Sequence, residues 1–151
     1  MKLRLSAALA LIAASPLPAQ TAPDYTYSTP IAGSWTYAAT TDGSEATFVN
    51  ASALPQLAVH CARASRRVSI WKPGSIAVPF LAVWTSSASR SVPASFDPTS
   101  RRITIQLTAY DPLLDGVAFS RGRFAVGVSG GPALVVPAWA EAARVIEDCR
   151  S

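Results

Sequence analysis

A chain of 151 residues that is half hydrophobic, with 15% charged residues, 12 Pro and 8 Gly, has room for one ordinary globular domain. The hydrophobic content excludes a disordered chain, and the lack of any repeat excludes collagen-like and coiled-coil chains. The formal charge of +4 includes Lys2 and Arg4 of an expected leader; without them 11 basic residues face 9 acidic ones, and +2 is too mild to indicate nucleic acid.

The first 19 residues have the three parts of a secretory signal peptide. Lys2 and Arg4 supply positive charge, residues 5–14 (LSAALALIAA) form a short apolar run, and small residues and prolines follow in SPLPAQTA. A run of about ten residues is half the length of a membrane-spanning helix. Cleavage after Ala19 fits best, with Ala22 second because Pro23 would follow the cut. There is no Cys after the run to carry a lipid, and no later stretch reads as a membrane span. The expected location is periplasmic or secreted, and the expected state is a monomer.

The two thiols, Cys61 and Cys149, fit that compartment as one intramolecular disulfide. Closing a loop of 88 residues would stabilise the fold by roughly 4–5 kcal/mol in the chain-entropy model. The alternatives are a reactive thiol and a metal site. Zinc asks for about four closely spaced ligands, and this chain has one His and no CxxC. No metal or other cofactor is expected.

Residues 20–32 read as an extended polar arm, and residues 33–151 as the domain. Short apolar runs punctuated by turn residues predict strands at 34–40, 45–50, 56–62, 67–72, 76–85, 102–109, 122–129 and 132–136. Their spacing predicts an all-β fold, an antiparallel β-sandwich of about seven to eight short strands. Asp42-Gly43 predicts a tight hairpin turn with positive φ between the first two strands. Leu57, Val59 and Cys61 share one strand face, as do Ile103, Ile105 and Leu107. The run 76–84 is apolar on both faces, so a doubly covered strand is expected there, with Pro79 at a bulge or an edge. Asp111-Pro112 predicts the capped start of a single helical turn. From Ala138 to Cys149 a stripe of Trp139, Ala142, Ala143, Ile146 and Cys149 predicts a C-terminal helix packed on the sheet. Cys149 on that stripe and Cys61 on its inward strand face agree with a staple between helix and sheet.

The nucleophiles and acids supply few catalytic patterns. Gly127-Val128-Ser129-Gly130-Gly131 matches the G-x-S-x-G elbow, whose chemistry needs a strand, a strained turn and then a helix. Here a strand is expected to follow, and His60, the one histidine, lies upstream. Ser129 therefore reads as a turn residue and His60 as an outward strand residue. Asp111 and Asp115 could form a glycosidase pair but read better as a cap and a turn residue.

Binding residues are the better candidates. Arg101 and Arg102 open one strand and Arg121 and Arg123 another; on neighbouring strands they would form a basic rim for anions. Trp71 falls on the face opposite Val68 and Ile70, just before the turn Lys72-Pro73-Gly74, where an exposed indole would anchor a partner or a glycan.

The stretches Ala118–Phe124, Pro137–Trp139 and Val145–Arg150 resemble uncharacterised exported proteins of alphaproteobacteria, which implies a periplasmic protein without assigned activity. Trp35, Leu57–Cys61, Val68–Trp71 and Ile146–Cys149 also resemble the periplasmic TagO-like family associated with type VI secretion. His60 stands where that family has Arg before the Cys, and Trp84 stands near a second family Arg. The expectation is a non-enzymatic binding or accessory module that recognises an envelope protein or polymer through Trp71 and the arginine rim. An envelope hydrolase using Ser129 or a carboxylate pair, and a secreted enzyme inhibitor, are the alternatives.

Overall fold

A computed structural model describes residues 24–128 and 130–151; the expected leader and Ser129 lie outside the described residues. Among the described residues nine strands and two α-helices follow one another, with one 3₁₀ turn at Arg63–Ser65. They are β1 (Gly33–Ala39), β2 (Gly43–Asn50), β3 (Pro55–Ala62), β4 (Arg67–Pro73), β5 (Phe80–Trp84), β6 (Ser89–Asp97), β7 (Arg102–Thr108), α1 (Pro112–Ala118), β8 (Arg123–Gly127), β9 (Ala133–Pro137) and α2 (Ala140–Asp148). All strand pairs are antiparallel, in the order β1-β2-β3-β4-β7-β6-β5-β8-β9. β4 to β7 thus form a Greek-key arrangement.

The fold is mostly antiparallel β with a C-terminal helix, but the expected sandwich is corrected: the strands form one sheet curled into a half-barrel. The reason lies in β6, which has no counterpart among the expected strands. Its first half, Ser89–Pro93, pairs with β5, and its second half, Ala94–Asp97, pairs with β7. One strand thereby joins what would have been two layers. Pro93 stands at the handover, where a residue without an N–H costs the ladder least.

The concave side holds the core. Alternation places Ala46 and Phe48 of β2, Leu57, Val59 and Cys61 of β3, Val68 and Ile70 of β4, and Ile103, Ile105 and Leu107 of β7 inward, all buried. Trp35 on β1 meets Phe48 edge-on at 5.5 Å and stacks with Phe124 of β8 at 6.2 Å. Its indole N–H donates to the Pro137 carbonyl at the end of β9 (2.8 Å). Ile31 N–H donates to the Val135 carbonyl (3.0 Å), so the segment leading into β1 reaches the far edge of the sheet. These contacts hold the curl.

α2 closes the core over the first strands. Ala142, Val145 and Ile146 are buried, and Cys149 is bonded to Cys61 with a Cα–Cα distance of 5.5 Å. The helix begins at Ala140, two residues later than expected, and Trp139 sits at its N-cap, 46% exposed and off the buried stripe. The acidic end that opposes the helix dipole is put to use. Asp148 accepts hydrogen bonds from Tyr37 Oη (2.7 Å) and Ser44 Oγ (2.8 Å) on β1 and β2. Arg144 lies over the Tyr37 ring at 3.9 Å.

Three further expectations are refined. The chain enters β5 only at Phe80, after Pro79; Leu81, Ala82 and Val83 are all buried, as a strand covered on both faces requires. α1 starts as expected, with Asp111 Oδ1 accepting from Leu113 N–H (2.9 Å) and Pro112 at its first position. Gly43 does not have the positive φ expected of the Asp-Gly turn. Its role is close approach, because a Cβ there would lie 2.0 Å from the Cys61 carbonyl oxygen.

Candidate functional site

On the convex face, Glu45 pairs with His60 and Ala58 with Trp71 across neighbouring strands. His60 Nε2 lies 3.0 Å from Asp42 Oδ2, and its Nδ1 lies 3.8 Å from Glu45 Oε2. Hydrogen bonds from Thr40 and then from His60 hold the Asp42 carboxyl below its ordinary range. Trp71 Nε1 donates to Glu45 Oε2 (3.4 Å), and the Arg102 guanidinium lies 3.8 Å over the indole. Trp71 is on the outer face as its parity requires, yet it is only 7% exposed. The expectation of an exposed anchor is therefore corrected: Arg102 covers the ring, and the cross-strand neighbour Ala58 is buried as well. What remains accessible there is a shallow groove bordered by Pro55, Pro73 and Arg101.

The two arginine pairs do not form one rim. β7 and β8 are separated by β6 and β5, so Arg101 and Arg102 belong to the Trp71 face while Arg121 and Arg123 belong to another.

That second surface is a cleft of about 510 Å³, between residues 24–26 of the arm, the β5–β6 turn and the start of β8. Tyr25 and Trp84 form an aromatic contact on its lining, with ring centroids 4.9 Å apart and planes at 60°. The turn is made by Thr85, whose Oγ1 accepts from Ser87 N–H (3.3 Å) and Ala88 N–H (2.9 Å) and donates to the Ala88 carbonyl (2.8 Å). Two serines lace the turn to the loop before β8: Ser86 N–H donates to Ser120 Oγ (3.0 Å), and Arg121 N–H donates to Ser86 Oγ (3.0 Å). The buried Ser120 hydroxyl in turn donates to the Arg123 carbonyl. Arg123 ties the arm down through Nη1, which donates to the Ser28 carbonyl, while its buried Nε has no hydrogen-bond partner. Arg121 is exposed at the cleft, and no carboxylate of the described residues pairs with it. Asp24 Oδ1 accepts from Thr26 N–H (2.9 Å), and hydrogen bonds from the Thr26 side chain and backbone hold its carboxyl below the ordinary range.

Sequence reasoning found Arg121 and Arg123 but missed Tyr25 and Trp84, which are 59 residues apart and meet only because the arm folds back. The sequence-level signal for Trp84 was its place beside Thr85-Ser86-Ser87-Ala88, a run of turn formers.

The other candidates have defined surroundings. Asp111 Oδ2 pairs with Arg90 (2.7 Å) and Asp115 Oδ1 with Arg150 (2.8 Å), so each carboxylate is held by its own guanidinium. Gly127 ends β8 and Ala133 begins the antiparallel β9, so the G-x-S-x-G stretch lies in a β-hairpin where the elbow needs a following helix. Among the described residues, no cluster of three His, Cys, Asp or Glu could hold a metal ion. No helix among them is long and apolar enough to cross a membrane. Compared with known proteins, the chain matches no family model, no curated protein and no solved structure.

Proposed function

We propose that this protein is an exported, periplasmic or secreted, non-enzymatic binding module that recognises an envelope protein or polymer through the Tyr25–Trp84–Arg121 cleft. The observation that carries the reading is the cleft itself. It joins an aromatic wall, two guanidinium groups and hydroxyls on a turn already locked by internal hydrogen bonds. A site organised before the ligand arrives loses little entropy on binding, and its volume falls in the range of small-molecule and chain-end pockets.

Export is supported by the three-part leader and by the Cys61–Cys149 bond, which persists in oxidising compartments. The non-enzymatic reading is supported by how the acids and the base are occupied. His60 faces Asp42 and Glu45, and Asp111 and Asp115 face separate arginines.

The test is retention of the full exported chain on washed envelope fragments of the producing cell, comparing wild type with Arg121→Ala. The Arg121 side chain is exposed, so the variant keeps the fold, and retention is expected to fall about tenfold, the effect of losing one charge-assisted contact. Unchanged retention would remove the cleft from the mechanism.

A further inference from the structure

We infer that the ligand of this cleft is a carboxylate-bearing saccharide, a segment or end of an acidic glycan; the inference rests on the binding reading above. Four features of the lining lead to it, and they are independent of one another.

The first is charge. Among the lining residues, Arg121 and Arg123 stand against Asp24 alone, a net charge of +1. Arg121 has no carboxylate partner among the described residues, whereas Arg123 spends Nη1 on the Ser28 carbonyl and keeps its Nε buried, so Arg121 is the guanidinium left to a ligand. A planar guanidinium with free donors is matched by a carboxylate, which takes two parallel N–H bonds. The second is the aromatic wall of Tyr25 and Trp84, which offers ring faces and edges to an apolar ligand surface without demanding that the whole ligand be apolar.

The third is hydroxyl supply. The Ser87 and Ser89 hydroxyls line the cleft and make no hydrogen bond within the described residues, so they are free to donate to and accept from ligand hydroxyls. The fourth disfavours one competitor. An extended peptide can bind by adding a strand to free backbone groups. Here the N–H groups of Ser86, Ser87, Ala88 and Arg121 are all engaged internally. Contacts along this turn are therefore left to side chains, and these combine a ring surface, hydroxyls and a cation. A sugar acid presents the complement of all three on one residue.

The experiment is calorimetric titration of the full exported chain with three probes of equal length: oligogalacturonate, its fully methyl-esterified form and oligoaspartate. Oligogalacturonate is expected to bind at least about tenfold more tightly than either of the others, a difference of about 1.4 kcal/mol. Arg121→Ala should cost about tenfold, Arg121→Lys should recover part of that loss, and Asp24→Asn, which keeps the acceptor for Thr26, should tighten binding. Equal binding of oligoaspartate would overturn the inference, since charge alone would suffice. Equal binding of the methyl ester would overturn it too, since the acid would not be read. If no probe binds while envelope retention is still lost in Arg121→Ala, the saccharide assignment falls and the binding reading stands. If retention also survives Arg121→Ala, both fall.

Discussion

At Trp71 the indole stands next to its cross-strand partner Ala58, with the Arg102 guanidinium over the ring and its N–H on Glu45. At Trp84 the indole is partly buried against Tyr25 and borders the cleft. The two tryptophans should therefore answer to different assays. Trp71→Ala removes a buried aromatic and is expected to cost about 3 kcal/mol in urea unfolding, with envelope retention unchanged. Trp84→Ala should cost less stability, about 1 kcal/mol, and should abolish most retention. The reverse pattern would return recognition to the β4–β7 face. Strand parity correctly put Trp71 on the outer face. Parity says nothing about what a neighbouring strand lays over that face, and so its cover by Arg102 was not legible.

The elements differ in how much of their pattern is local. β7 alternates cleanly because one face meets the core, and the inward residues of β3 and β4 were readable in the same way, although Ala58 and Trp71 on their outer faces are also buried. β6 was not readable in this way. Its sequence SRSVPASFD carries three serines and a proline, and its strand state comes from partners on both sides: β5 for the first half and β7 for the second. Likewise Asp148, an acid at a helix end where the dipole disfavours it, is a docking group for β1 and β2. Burial by itself would raise the Asp148 carboxyl, but the Tyr37 and Ser44 hydrogen bonds and the charges of Arg144 and Arg63 outweigh it and hold it below the ordinary value. A carboxyl depressed in the folded state stabilises the fold fully above its unfolded value of about 3.9, and that contribution is lost as pH falls through the lower folded value. Asp148→Asn should therefore lower stability by about 1 kcal/mol at neutral pH, after allowance for solvent screening. The gap from wild type should be constant above about pH 5 and should close in acid. Unfolding curves at a series of pH values check this; a gap independent of pH down to the acid limit would show that the carboxylate charge plays no part.

For the whole molecule, the order of the strands and the route of the arm decide where the site lies. A count of two thiols made the Cys61–Cys149 bond legible, because no other intramolecular pairing exists. It links α2 to β3 across 88 residues, and loss of both thiols (Cys61→Ala with Cys149→Ala) is expected to lower stability by about 4 kcal/mol, read as a lower melting temperature. The closure of the curl was not legible, since Trp35 meets Pro137 and Phe124 from the opposite end of the sheet. The same long-range folding makes the arm a wall of the cleft. Tyr25 lies six positions beyond the expected cleavage point at Ala19.

The central claim is that recognition occurs at this cleft. Hydrogen exchange of the full chain, with and without soluble envelope fragments of the producing cell, tests it most directly. The account predicts slower exchange confined to residues 24–28, 84–89 and 119–123, the segments around the cleft. Slowing confined to 67–73 and 100–104, around Trp71 and Arg102, would contradict it.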